Sequence, residues 1–157
     1  MTRRVAVAAL LLAAACSRPE ADLGAAVRAY DDALVRAYSR GDAALLTGLA
    51  TAKEQGRVQV LVDLKSAGKL ALESRIESFE VTKATVAGDA GAVETRERWR
   101  YHDRNLKPGG ADGPEFVADM RMAYDLVRED GRWKVQSVRT ISNAYLNPTG
   151  PAGPSGP

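Results

Sequence analysis

The chain has 157 residues, 45% of them hydrophobic and 27% charged, and a formal net charge of +2. That length sets one domain as the expectation, with a core large enough to hold without disulfides. Lys and Arg number 22 against 20 acids, but Arg3 and Arg4 lie in an apolar leader, so the remainder is neutral; neutrality argues against nucleic-acid binding by phosphate neutralisation and against a polybasic membrane surface.

Met1-Thr-Arg-Arg is followed by an apolar run over residues 5–15 and then by Cys16, the chain's one cysteine. A charged start, an apolar stretch and small residues before a cut are the parts of a secretory signal, and a run this short does not span a bilayer. With Ala13-Ala14-Ala15-Cys16 at its end, the segment resembles the bacterial lipoprotein signal, although the usual Leu stands one place early, at Leu12. An ordinary Ala-x-Ala signal-peptidase site is the competing reading. The resemblance implies that residues 1–15 are removed and that Cys16 carries a thioether-linked diacylglycerol and an acylated amino group. It also implies that Ser17, standing after the cysteine in place of Asp, directs the protein to the periplasmic face of the outer membrane. A lone cysteine in an exported chain has no disulfide partner, which lipid attachment explains. Acyl chains contribute ~0.8 kcal/mol per buried methylene, and stable anchoring takes two or more.

Residues 16–22 form the lipidated cysteine and a polar spacer, and helical periodicity begins at Leu23. Leu23, Val27, Tyr30, Leu34 and Tyr38, with Ala26, Ala33 and Ala37 beside them, make one apolar stripe on a helix of about 17 residues. Gly41 suits a left-handed helix end, and Asp42 can cap a short second helix whose Leu45, Leu46 and Leu49 face inward. Thr51-Ala-Lys-Glu54 spells a capping box, so a third helix is expected over residues 52–67, packing Val58, Leu61 and Leu64 and stopped by Gly68.

From Leu70 the pattern has period two. Strands are expected over residues 70–86, 92–104, 115–128 and 132–142, separated by Gly88-Asp-Ala-Gly91, a polar loop over residues 107–114 and an Asp130-Gly131 hairpin turn. Helices first and strands afterwards, without βαβ alternation, predict an α+β domain over residues 23–146: N-terminal helices packed on a curved four-stranded antiparallel sheet. Residues 147–157 repeat Gly and Pro with nothing large to bury and read as a disordered tail. The order of elements, the segment from Ile76 to Ala90, and above all Tyr124-Asp-Leu-Val-Arg-Glu-Asp-Gly-Arg-Trp-Lys-Val135 resemble the nuclear-transport-factor-2-like superfamily. The resemblance implies a cone with a concave pocket, and it implies no single activity, because such folds carry isomerases, dehydratases, cyclases and noncatalytic binding domains.

Alternation on the second strand puts Val93, Thr95, Glu97, Trp99 and Tyr101 on one face and Arg96, Arg98, Arg100, His102 and Arg104 on the other. The aromatic face is the buried one. The Asp130-Gly131 turn pairs Leu126 with Val135, Tyr124 with Ser137, Met122 with Arg139 and Met120 with Ile141. For Phe79 and Val81 to join the aromatic face, a bulge is needed near Ser78 or Ala87. The candidate pocket is therefore Thr95, Glu97, Trp99, Tyr101, Tyr124, Ser137 and Arg139, with Glu97 and Arg139 as paired charges on an otherwise apolar surface. A carboxylate there must be paired, hydrated or neutralised, and a raised pKa would suit proton transfer. Glu94, Asp119 and Asp125 interleave with the arginines, which reads as a salt-bridged exterior.

One His and one Cys leave no residue set for a metal or a Cys-dependent nucleophile, and no cofactor is expected. The leading functional reading is a membrane-tethered, noncatalytic cone that binds an envelope protein partner or a small apolar ligand. The alternative is an isomerase- or dehydratase-like enzyme using Glu97 with Tyr101, Tyr124 or Arg139; a third is an assembly factor that homodimerises through its sheet.

Overall fold

The computed structural model describes residues 19–147, so the expected signal, the lipid-attachment site Cys16 and the tail beyond Asn147 lie outside the described residues. Helix α1 (Pro19–Arg40), a 3-10 turn (Ala43–Leu46) and helix α2 (Ala52–Ala67) precede strands β1 (Leu70–Ala87), β2 (Ala90–Asn105), β3 (Phe116–Glu129) and β4 (Arg132–Tyr145). The strands form one antiparallel meander in the order β1-β2-β3-β4, with the helices against it.

Helix α1 starts earlier than its apolar stripe, at Pro19, because a proline's fixed φ and missing N–H suit a first turn. It fully buries Leu23, Val27, Tyr30, Ala33 and Ala37, while Leu34 and Tyr38 flank the contact half-buried. The helix ends at Gly41, whose φ is +69, and the Asp42 N–H donates back to the Ala37 carbonyl at 2.9 Å, a Schellman ending. Asp42 Oδ1 then accepts from the Ala44 N–H at 2.9 Å and caps the 3-10 turn, as expected.

Helix α2 departs from its expected face. Thr51 Oγ1 accepts from the Glu54 N–H at 3.3 Å, but the return half of the capping box is missing: the Thr51 N–H donates to the Val135 carbonyl at 2.9 Å. The Glu54 carboxylate turns inward and accepts from Tyr30 Oη at 2.6 Å. That bond sets the helix rotation, so the buried row is Glu54, Val58 and Val62, while Leu64 is 67% exposed and Leu61 half-buried.

The hairpin at Asp130 and Gly131 has both residues at positive φ, 52 and 74, as a type I′ turn requires. On β1 the register slips between Ile76 and Ser78 and again between Val81 and Lys83. The first slip is the bulge expected near Ser78; there is none at Ala87, and the second falls at Thr82. Between the two bulges the parity is inverted, which brings Phe79 opposite Glu97 and Val81 opposite Thr95 on the concave face.

Strand β4 corrects the expected register. Leu126 pairs with Val135, but Gln136 bulges, so Tyr124 meets Val138 and Ser137 meets Asp125. The same bulge sets Met122 opposite Thr140, and a second bulge at Ile141 sets Met120 opposite Asn143. Each bulge turns the following side chains over.

Candidate functional site

The concave face divides into a sealed part and an open part. In the sealed part, β2 supplies Thr95 and Glu97, β3 supplies Tyr124 and α1 supplies Asp31; each is 1% exposed. Glu97 Oε1 accepts from Thr95 Oγ1 at 2.5 Å and from Tyr124 Oη at 2.8 Å, and Glu97 Oε2 accepts from Trp99 Nε1 at 2.5 Å. Three donors converge on one carboxylate, an arrangement that suits the ionised, acceptor-only form.

Tyr124 Oη also lies 3.1 and 3.2 Å from the two oxygens of Asp31. A phenol has one proton, so with that proton on Glu97, the Asp31 side must donate to the phenol oxygen and be neutral. Burial and then the negative charge of Glu97 hold the Asp31 pKa well above the usual carboxylate range. Burial and the two carboxylates push Tyr124 up as well, so the phenol keeps its proton. Asp31, Tyr124 and Glu97 thus form a buried hydrogen-bonded chain in which Asp31 and Tyr124 keep their protons.

A third buried carboxylate is structural. Glu54 accepts from Tyr30 and from Arg57, whose Nε and Nη2 lie at 2.8 and 2.6 Å, and it bolts α2 to α1. Burial and then the bond to Glu54 raise the Tyr30 pKa above its ordinary value.

The open part is a hollow of about 210 Å³ lined by Tyr38, Leu72, Ser74, Trp99, Tyr101, Met120 and Met122, and the surface it exposes is entirely apolar. Ser74 Oγ is buried in its wall without a hydrogen-bond partner among the described residues. At the rim, Phe116 stands between Tyr101 and Tyr145, with ring centroids 5.5 and 6.0 Å apart, and Tyr101 Oη approaches Tyr145 Oη at 3.3 Å. Glu97 is not in the lining; the Trp99 indole, held by its own bond to Glu97, lies between the two parts.

Of the seven residues expected in one pocket, Thr95, Glu97 and Tyr124 lie in the sealed cluster, while Trp99 and Tyr101 line the hollow. Ser137 and Arg139 belong to neither. The Gln136 bulge turns them to the convex face, where Ser137 Oγ donates to Asp125 at 2.6 Å and Arg139, 65% exposed, stands 4.0 Å from the same carboxylate. The expected Glu97–Arg139 pair does not form, and the titratable group that neighbours Glu97, through Tyr124, is the neutral Asp31. The sequence held a signal for it: Asp31 continues the Leu23, Val27 row at a four-residue step, so a carboxylate sits on the buried line of the helix.

Most of the arginine ladder on β2 is paired. Arg98 meets Asp119 at 2.7 Å, Arg100 bridges Glu77 and Glu115 at 2.6 and 2.5 Å, and Arg104 meets Glu73 at 2.7 Å. Among the described residues no group of three or more His, Cys, Asp or Glu is placed to hold a metal ion, and no helix is long and apolar enough to cross a membrane.

No protein-family model matches the chain, and no curated protein matches its sequence. Solved structures do match its shape. The intermembrane-space region of the chloroplast protein ARC6 superposes with a TM-score of 0.70 at 12% identity, over 79% of this chain and 97% of that one. A candidate dehydratase of the NTF2-like family from Streptomyces avermitilis gives 0.53 at 18% identity, covering 78% and 97%. A type 2 hexachlorocyclohexane dehydrochlorinase, LinA, gives 0.51 at 10% identity, covering 83% and 93%. Identities this low speak for fold alone, and they meet on one architecture. The chain is an α+β cone with the nuclear-transport-factor-2-like fold.

Proposed function

We propose that this is a lipid-anchored cell-envelope protein whose cone domain is a noncatalytic binding module, receiving an apolar side chain of a protein partner in the hollow at its mouth. The observation that carries this reading is the separation of the two parts: the exposed lining is apolar, and the one carboxylate near it is sealed behind Trp99 with its acceptors occupied. A hollow of about 210 Å³ is smaller than the ~300–1,000 Å³ of most small-molecule sites. It has the scale and the aromatic and Met lining of a pocket that takes one anchoring side chain at a protein interface. Anchoring rests on Cys16 and its resemblance to a lipoprotein site.

A photo-crosslinking side chain at Tyr145, in cells making the full chain, tests the reading. A discrete protein adduct is expected there and not from the same label at Arg96 on the convex face; no adduct, or equal labelling from both, contradicts it. Cys16→Ala should move the protein from the membrane to the soluble fraction and remove fatty-acid label, and persistence of both would refute the anchor.

A second reading, a small-molecule enzyme using Glu97, is favoured by the buried hydrogen-bonded chain that links Asp31, Tyr124 and Glu97. It requires the Trp99 indole to swing away so that substrate reaches Glu97.

A further inference from the structure

The outer edge of β4 is half used. At Val135 it pairs in parallel with the segment that leads into α2: the Val135 N–H donates to the Leu49 carbonyl and the Thr51 N–H to the Val135 carbonyl, both at 2.9 Å. Beyond that point, among the described residues, no backbone pairs with the outer side of β4, and residues 139–146 are all exposed, including Ile141 at 44%, Tyr145 at 44% and Leu146 at 47%. An unpaired strand edge with apolar side chains is a template for another strand, and proteins commonly blunt or cover such edges.

Taking the protein-binding reading above as its basis, we infer that an extended segment of a different envelope protein adds as a fifth strand to the free half of β4 and drops one large apolar side chain into the Trp99–Met120–Met122 hollow. The added strand lies ~4.8 Å beyond β4, or roughly 10 Å from β3. Thr140 and Asn143, the β4 residues opposite Met122 and Met120, are exposed and short, so they leave the path into the hollow clear. The backbone bonds give affinity and the hollow selects one side chain in the alternating series.

Two other occupants fit less well. The chain's own tail has proline at 148, 151, 154 and 157, and a segment without an N–H at every third residue makes a poor ladder. A second copy would pair β4 with β4 antiparallel about a two-fold axis, and for the free stretch 137–145 that axis falls at Ile141, the residue that bulges. The two bulges would oppose each other at the centre of the interface, whereas a regular strand from another protein meets only one. Arg139 is the one charged residue on this stretch, so the segment is neutral or acidic.

The experiment selects seven-residue peptides from a random displayed library on the detergent-solubilised full chain, then N-methylates each selected peptide one residue at a time. Peptides alternating apolar residues, with one large aromatic or aliphatic side chain, are expected. Methylation at every second residue should weaken binding by roughly tenfold, as loss of a backbone bond does, while methylation between them leaves it unchanged. Selected peptides that lose binding to Met120→Lys but ignore N-methylation would overturn the added strand and leave the hollow as a binding site. Peptides indifferent to both, or no enrichment, would overturn the protein-binding reading as well. A chain that sediments as a dimer, dissociated by the selected peptides, would assign the edge to a second copy and overturn the inference.

Discussion

The two ends of the concave face share β2 and β3 with the same alternation, and they solve opposite problems. In the sealed end every polar group of Thr95, Glu97, Tyr124 and Asp31 is engaged. In the open end Trp99, Tyr101, Met120 and Met122 expose apolar surface around one unengaged hydroxyl, Ser74. Helix α1 covers the first and reaches the second only with Tyr38. Buried polar groups fully satisfied make a rigid, specific core, whereas exposed apolar groups at a rim are available for association. The face thus keeps its charge chemistry where water and ligand are excluded and offers packing where they are not.

Breaking the sealed end should have the largest effect. Glu97→Gln replaces an acceptor-only group with an amide whose NH2 faces at least one of three converging donors. We expect a loss of about 2–4 kcal/mol in urea unfolding. A loss under about 0.5 kcal/mol would mean the cluster is hydrated.

Asp31 sharpens the same point through pH. Its folded pKa is raised, so its favourable contribution is complete below the ordinary carboxylate range and is lost as pH rises through the folded value. The wild-type melting temperature should therefore gain a downward slope from Asp31 as pH increases above the ordinary carboxylate range, ending at the raised folded value. Asp31→Asn, which can still donate to Tyr124, should remove that slope; an unchanged slope would show that Asp31 is ionised in the fold.

Much of the fold was legible because periodicity is a local signal. The α2 limits, the hairpin at Asp130 and Gly131, the concave face of β2 and the bulge near Ser78 follow from spacing, turn chemistry and the need to bury Phe79. What was hidden had long-range causes. Leu64 lost its place in the core to Glu54 because a carboxylate with a Tyr30 hydroxyl and the Arg57 guanidinium can be buried, which no apolar count includes. Asp31 was overlooked for the same reason. Ser137 and Arg139 were assigned to the wrong face because the bulge at Gln136 carries no Gly or Pro to mark it. The candidate site was half legible: its β2 residues were found, the α1 carboxylate was not, and two β4 residues were misplaced.

Smaller effects test the remaining boundaries. Thr51→Ala removes the α2 cap and should cost about 1 kcal/mol. Arg139→Met should change stability by less than about 0.5 kcal/mol and add independently to Glu97→Gln, as expected for an exposed pair remote from the cluster. Coupling between those two substitutions would return Arg139 to the concave face.

The separation of the two ends is tested most directly by the adduct formed from a photo-crosslinker at Tyr145 in Met120→Lys and Asp31→Asn backgrounds, with each protein's fold verified by circular dichroism. The account predicts that Met120→Lys, which places a charge in the hollow, abolishes the adduct, while Asp31→Asn, which alters only the sealed cluster, leaves its yield unchanged. Loss of the adduct in Asp31→Asn with retention in Met120→Lys would contradict the account and place the working site at the buried carboxylates.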